Sequence, residues 1–192
     1  LDTTFARLRE RGRGAFVPFL MLGDPDPETS SHLIAQLLDG GADILELGLA
    51  FSDPPGDGPV IQAAAQRALA AGMTTTRAFQ MIQAIRAMTD VPISLLCYYN
   101  VVLQYGIDPF YRDAAAAGVD AVLVADLSLE ESAPVVDGAR RHGVRPVFMM
   151  SELTTDDRMA QIATVAGGYI YAVAHVVNLD IPVCEDRLHV GH

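Results

Sequence analysis

Glu46, Asp53 and Asp57 lie within one stretch, Asp43 to Gln62, that reads DILELGLAFSDPPGDGPVIQ. Glu46 interrupts an apolar run, Ile44 to Leu49, of strand length. A strand buried on both faces reads as continuous hydrophobics, so an ionisable group in its middle needs a reason. By alternation, Ile44, Glu46 and Gly48 share one face and Leu45, Leu47 and Leu49 share the other. The leucine face suits a layer of helices, which turns Glu46 toward the hollow of a barrel or the crevice of a sheet. Asp57 follows eleven residues later on the loop Phe51 to Pro59, where three prolines and two glycines hold the backbone rather than loosen it. Two carboxylates in unlike surroundings can hold unlike protonation states, the arrangement that acid–base chemistry requires. The same residues also fit a structural role, with Glu46 paired to a buried arginine and Asp53 and Asp57 capping a turn.

The elements that must position these groups follow from periodicity and punctuation. A leading helix is expected over Thr3 to Arg11, then a first strand over Ala15 to Leu22. Asp26 caps and Pro27 opens a helix with Leu33, Ile34, Leu37 and Leu38 on its core face. Pro59 opens another to Ala71, and Thr75 to Met88 forms a third with Ala78, Met81, Ile82 and Ile85 at helical spacing. Strand three is placed at Ile93 to Tyr98, followed by an irregular stretch around Tyr99, Asn100 and Gly106. Asp108 and Pro109 start a helix that Gly118 ends. Strand four is Ala121 to Val124. Ser128 and Glu131 form a capping box for a helix reaching His142. Strand five is Pro146 to Met149. A helix over Thr155 to Ala166 buries Met159, Ile162, Ala163 and Ala166, and strand six is Tyr169 to Val173.

A glycine ends each helix and a short strand follows two or three residues later, as at Gly41-Ala42-Asp43 and Gly118-Val119-Asp120. This is a βα repeat, which implies a parallel sheet with right-handed crossovers. No G-x-G-x-x-G follows strand one, which disfavours a dinucleotide fold. Polar residues gather at the strand exits, Asp24, Asp57, Asn100 and Asp126, where a β/α barrel carries its site. The expected class is therefore α/β, a (β/α)8 TIM barrel that is incomplete here. About six βα units are expected, either as a fragment of a barrel or as an open barrel with strands one and six as apolar edges, because a full barrel takes roughly 200 residues or more. Residues 1–192 are expected to form a single domain. Its tail, residues 174–192, is too short for units seven and eight.

The chain has 192 residues, 51% of them hydrophobic, and a net charge of −11. That charge argues against nucleic acid, which wants basic patches. No apolar run approaches the roughly 20 residues of a membrane span. All thirteen basic residues are arginine, so no lysine Schiff base can form on this chain. Cys97 and Cys184 read as free thiols of a reducing compartment, and the chain is expected to be cytoplasmic.

The run Leu45 to Gln62 resembles the signature of the tryptophan synthase α subunit family, L-E-L-G-x-P-F-S-D-P-x-A-D-G-P-x-I-Q. The resemblance extends over roughly residues 3 to 175. Gly14 to Phe19 with Leu22-Gly23-Asp24-Pro25 is similar to the family's first strand and loop. Tyr98-Tyr99-Asn100 is similar to its third-strand exit, Val122 to Leu127 to its fourth unit, and Gly168-Tyr169-Ile170-Tyr171 to its sixth strand. The resemblance implies a (β/α)8 barrel that cleaves indole-3-glycerol phosphate to indole and glyceraldehyde 3-phosphate by a retro-aldol reaction. Glu46 then matches the catalytic general acid–base. Asp57 matches the catalytic aspartate that bonds the indole N–H. Phe19, Leu96, Tyr98, Leu123 and Tyr171 match substrate-binding positions. Asp53 and Asn100 match positions at the interface with a β subunit in an α2β2 assembly. No cofactor is implied for this chain, since the pyridoxal phosphate belongs to the β subunit, and no metal.

Several positions depart from the family pattern. Ala50 replaces a proline, Gly56 an alanine, and Pro55 is an extra proline beside Asp57. Cys97, Met21 and Ser151-Glu152-Leu153 also differ. After Val176 the resemblance stops, and the family's S-R-x-G-V-T-G lid and glycine-rich phosphate loops have no counterpart, so weak or absent activity is expected. The rival readings are a metal-dependent aldolase or hydrolase using the tail Cys184 to His192, a catalytically inactive α-like subunit that modulates a β subunit, and another phosphate-binding barrel.

Overall fold

A computed structural model of the chain describes residues 1–173. Six strands alternate with eight helices among them. The strands are β1 (Phe19–Met21), β2 (Leu45–Gly48), β3 (Ile93–Cys97), β4 (Ala121–Val124), β5 (Arg145–Ser151) and β6 (Ile170–Val173). All neighbours pair parallel, in the order β1-β2-β3-β4-β5-β6, so β1 and β6 are the edges among the described residues. The helices are α1 (Asp2–Glu10), α2 (Pro27–Asp39), α3 (Pro59–Ala70), α4 (Thr75–Arg86), α5 (Tyr99–Tyr105), α6 (Ile107–Ala117), α7 (Ala133–Arg141) and α8 (Asp156–Val165).

The sheet curls. Tyr169, at the entry to β6, has its hydroxyl 2.7 Å from the Ser94 hydroxyl on β3. In a flat sheet those strands stand three spacings of about 4.8 Å apart, beyond the reach of one tyrosine and one serine. The curl gives the sheet two unlike faces. On the outer face Leu45, Leu47 and Leu49 pack in one core with Ile34 of α2, Ala64, Ala65 and Ala68 of α3, and Ile82 and Ile85 of α4. A second, smaller cluster of Ala121, Leu123, Val147, Met149, Tyr169, Tyr171 and Leu1 fills the inside. The N-terminal end of α1 lies against this inner cluster, with the Phe5 and Tyr169 rings 6.2 Å apart. Arg145, at the start of β5, is paired with Asp2 of the same helix at 2.6 Å.

Side-chain caps at the N-cap residue open three of the eight described helices. The Asp26 carboxylate accepts the Thr29 N–H and Pro27 opens α2, while the Thr74 and Thr155 hydroxyls cap α4 and α8. Four expectations are corrected. The first strand is only Phe19–Met21: residues 16 and 18 accept bonds from Asp43 and Glu46 N–H, but Pro18 has no N–H with which to extend the ladder. The stretch after β3 is the helix α5, because the Asp126 carboxylate on the β4 exit accepts the Tyr99 N–H at 2.6 Å and caps it from a distance. Ser128 and Glu131 do exchange bonds, yet α7 begins only at Ala133 with Ser132 as its cap. Pro134 dictates that start, since it fits a first helical turn and would break an earlier-starting helix in its middle. Leu33, Met159 and Ala163, all expected in the core, are exposed.

Candidate active site

The inner face of the sheet is built in layers by the parallel register. Phe19, Glu46, Ser94, Ala121 and Arg145 stand opposite one another in one layer. Met21, Gly48, Leu96, Leu123 and Val147 form the next, toward the carboxyl ends of the strands. Tyr171 lies opposite Met149 one step further along. Small residues at Gly48, Ser94 and Ala121 leave room beside large ones. At Gly48 the space is taken by the Phe19 ring: a methyl group there would lie 2.7 Å from Phe19 Cζ.

Glu46 is 5% exposed, on the inner face as alternation requires. No salt bridge reaches its carboxylate among the described residues, so it is not the partner of a buried arginine. Its polar neighbour is the Tyr169 hydroxyl, 3.5 Å from Oε1. Burial raises the Glu46 pKa above its ordinary value, and the Tyr169 hydroxyl holds it down in part. Burial also pushes the Tyr169 phenol up to about 12, which keeps it a proton donor at neutral pH.

Asp57 sits half-buried on the loop after β2. It caps no helix: the N-cap of α3 is Gly58, with no side-chain bond. The loop is fixed at three points. Asp57 N–H donates to the Pro54 carbonyl at 3.4 Å, Gln62 Nε2 donates to the Asp57 carbonyl at 2.7 Å, and Gly56 N–H donates to the Tyr98 hydroxyl at 3.3 Å. Tyr98 is buried at the exit of β3, its ring 5.6 Å from that of Phe51. Burial raises the Asp57 pKa, and the Tyr98 hydroxyl lowers it in part. The Tyr171 phenol is raised by burial first, then by the negative charges of Glu46 and Asp57. Tyr171 thus lies within the fields of both carboxylates.

The structure therefore brings Glu46, Asp57, Phe19, Leu96, Tyr98, Leu123 and Tyr171 to one face and one rim. Asp53 and Asn100 lie elsewhere. Both are exposed and line a separate cavity of about 640 Å³, with Phe51, Thr75, Val101 and Gln104, outside the curl. Two polar residues of the hollow were not singled out from the sequence, Ser94 and Tyr169. Ser94 carried the same signal as Glu46, a polar side chain on the inward parity of an apolar strand. Cys97 is a buried free thiol, and burial raises its pKa. Among the described residues no group of three His, Cys, Asp or Glu is arranged to hold a metal. Cys184, the remaining ligand-type residues of the tail, and the expected lid and phosphate-loop region lie outside the described residues.

The family described as tryptophan synthase alpha chain matches residues 5–177. The chain belongs to the tryptophan synthase alpha chain family. Its relatives include the tryptophan synthase alpha chains of Klebsiella pneumoniae, 51% identical over 174 residues, and of Shewanella oneidensis, 50% identical over 174 residues. Those alignments take in 90% of this chain but 65% and 63% of the relatives' length. Solved alpha chains superpose closely. That of Legionella pneumophila does so with a TM-score of 0.87 at 37% identity, over 90% of this chain and 66% of that one. A tryptophan synthase complex from Pyrococcus furiosus gives 0.79 at 35% identity, over 83% and 66%. The expected fold is thus that of the tryptophan synthase alpha chain: a curled parallel sheet with alternating helices, here with six of its strands described. The family match ends one residue beyond Val176, where the sequence resemblance stops.

Proposed function

We propose that this chain has the alpha-type lyase chemistry, the cleavage of indole-3-glycerol phosphate to indole and glyceraldehyde 3-phosphate, at the weak rate expected of a sequence whose resemblance to the family stops after Val176. The observation that supports it most is a buried carboxyl with no basic partner among the described residues, Glu46, whose field reaches Tyr171 together with that of a second carboxyl, Asp57, on a braced loop. Burial keeps the Glu46 proton to a higher pH than water would, as a proton donor working near neutrality needs. Phe19, Leu96, Leu123 and Tyr171 supply apolar surface on the same face for the indole ring.

In this reading Glu46 gives its proton to indole C3. The ring becomes an indoleninium cation whose N–H donates to the Asp57 carboxylate, and the opposite charges stabilise each other in a site of low dielectric. The Glu46 carboxylate then takes the proton of the side-chain hydroxyl. The C–C bond breaks, its electron pair returns to the ring, and the carbonyl of glyceraldehyde 3-phosphate forms. Glu46 ends protonated, as it began. The indole ring is the electron sink, so the step requires neither an imine nor a cofactor on this chain. Asp53 and Asn100, exposed together outside the hollow, are proposed to meet a pyridoxal-phosphate-dependent β subunit that takes the indole, in an α2β2 assembly of the cytoplasm.

The test is indole release from indole-3-glycerol phosphate by the purified chain, alone and with a β subunit. Glu46→Gln should lower kcat by about 100-fold or more, the range of a lost general acid–base group. A chain that raises β-subunit activity while Glu46→Gln changes nothing would be the inactive, modulating subunit instead.

A further inference from the structure

Ser94 is fully buried in the middle of β3, on the inward face, and its hydroxyl has one partner among the described residues: the Tyr169 hydroxyl at 2.7 Å. Tyr169 in turn stands 3.5 Å from Glu46 Oε1. The three groups form a line, from β3 through the residue that enters β6 to β2, with Glu46 at its end. A hydroxyl pair can be polarised either way. If Tyr169 donates to Ser94, the Ser94 proton is left without an acceptor in a buried site, which is costly. If Ser94 donates to Tyr169, each proton has a place to go, and the Tyr169 O–H is left pointing at the carboxylate.

We propose that Ser94 is a positioning residue that acts on Glu46 through Tyr169, donating to the Tyr169 oxygen and so fixing the Tyr169 O–H toward the Glu46 carboxylate. The inference rests on the lyase reading for its purpose but not for its geometry. The line favours ionised Glu46 and opposes burial, which favours the protonated acid. Glu46 is thereby balanced between the two forms it must alternate between in one turnover. The 3.5 Å contact is long for an O–H···O bond, so Tyr169 acts on Glu46 as an oriented hydroxyl dipole rather than as a tight hydrogen-bond donor. The other titratable group within the field of Glu46 is Tyr171, whose phenol also feels Asp57. Neither touches Ser94.

The experiment follows the Glu46 carboxyl directly, by carbon-13 NMR of protein labelled at the glutamate carboxyl carbon, with the resonance assigned by its loss in Glu46→Gln. Ser94→Ala should raise the Glu46 titration midpoint by about half a pH unit, because an unfixed Tyr169 hydroxyl also accepts from protonated Glu46. Tyr169→Phe should raise it by about one unit, just under the worth of a tight hydrogen bond to a charged group. Adding Ser94→Ala to Tyr169→Phe should move it no further. A midpoint unmoved in Ser94→Ala, or moved equally with and without the Tyr169 hydroxyl, overturns the proposal. Tyr169→Phe keeps its ring and packing, so an unmoved midpoint there is decisive even if Ser94→Ala does not fold. Because the readout is titration, a failed lyase assay with the expected shifts would sink the function and leave the relay standing.

Discussion

Gly48→Ala tests the inner face where shape and chemistry meet. A methyl group at Gly48 would lie 2.7 Å from Phe19 Cζ, 3.1 Å from Cε2 and 3.2 Å from Met21 Cε. Carbon atoms pack at about 3.5–4.0 Å, so the Phe19 ring must move by close to an ångström. Met21 Cε is the end of a flexible chain and yields readily; the ring is hinged to the edge strand β1 and swings into the hollow. Overpacking of this kind costs about 1–3 kcal/mol. For a chain of this size that lowers the melting temperature by about 2–10 °C. The displaced ring also occupies space proposed for the indole, so affinity for an indole-bearing ligand should fall by about tenfold. Thermal denaturation and ligand titration read the two effects. The cycle with Phe19→Ala is the control: in that background Gly48→Ala should cost little stability, since the atom it strikes is gone. A cost that persists without the ring, or no loss of either stability or affinity, refutes this account of how the hollow is shaped.

Three further outcomes are expected. Because burial raises the folded pKa of Glu46 above its unfolded value, the native state binds the proton more tightly, and stability falls as pH rises from the usual carboxylate range through the raised pKa. Glu46→Gln removes that dependence, so its melting temperature should gain on the parent chain as pH rises above the usual carboxylate range; a difference that stays constant with pH contradicts the burial of this carboxyl. Tyr98→Phe keeps the Phe51 contact but removes the acceptor of the Gly56 N–H and the hydroxyl beside Asp57, so the Asp57 titration midpoint, followed by carbon-13 NMR, should move upward and ligand affinity should drop about fivefold, the worth of one hydrogen bond. Arg86 donates to the Gly118, Thr89 and Val91 carbonyls and to Asp120, tying α4 to the starts of β3 and β4; Arg86→Ala should cost about 2–4 kcal/mol by urea denaturation, and Arg86→Lys should recover less than half, lacking the fork.

Local rules reached the parts of the fold that are local. The period-2 alternation of Ile44 to Leu49 placed Glu46 inward, and it is the leucines that meet the helices. Proline and cap residues placed the starts of α2 and α3, because those signals act within one turn of chain. What failed was decided at a distance. Helix α5 is capped by Asp126, separated from Tyr99 by 27 residues and brought there only by the pairing of β3 with β4. The exposure of Leu33 and Met159 depends on what packs against α2 and α8, which helical spacing alone does not state.

The same division runs through the candidate site. Glu46 and Asp57 stand out in the sequence because charge in an apolar strand and charge on a proline-held loop are both anomalies that can be read in place. Ser94 is a weaker anomaly, since one hydroxyl in a strand is easily satisfied by backbone. Its meaning comes from Tyr169, separated from it by 75 residues in sequence, and the contact exists only because the sheet curls until β6 faces β3. The curl is thus more than a container for the two carboxyls. It sets how strongly Glu46 holds its proton, through burial by the inner face and through a phenol delivered from the far strand, and both influences vanish together if the sheet opens. Loosening the β5–β6 pairing should therefore return the Glu46 titration toward that of an ordinary glutamate before the helices on the outer face melt.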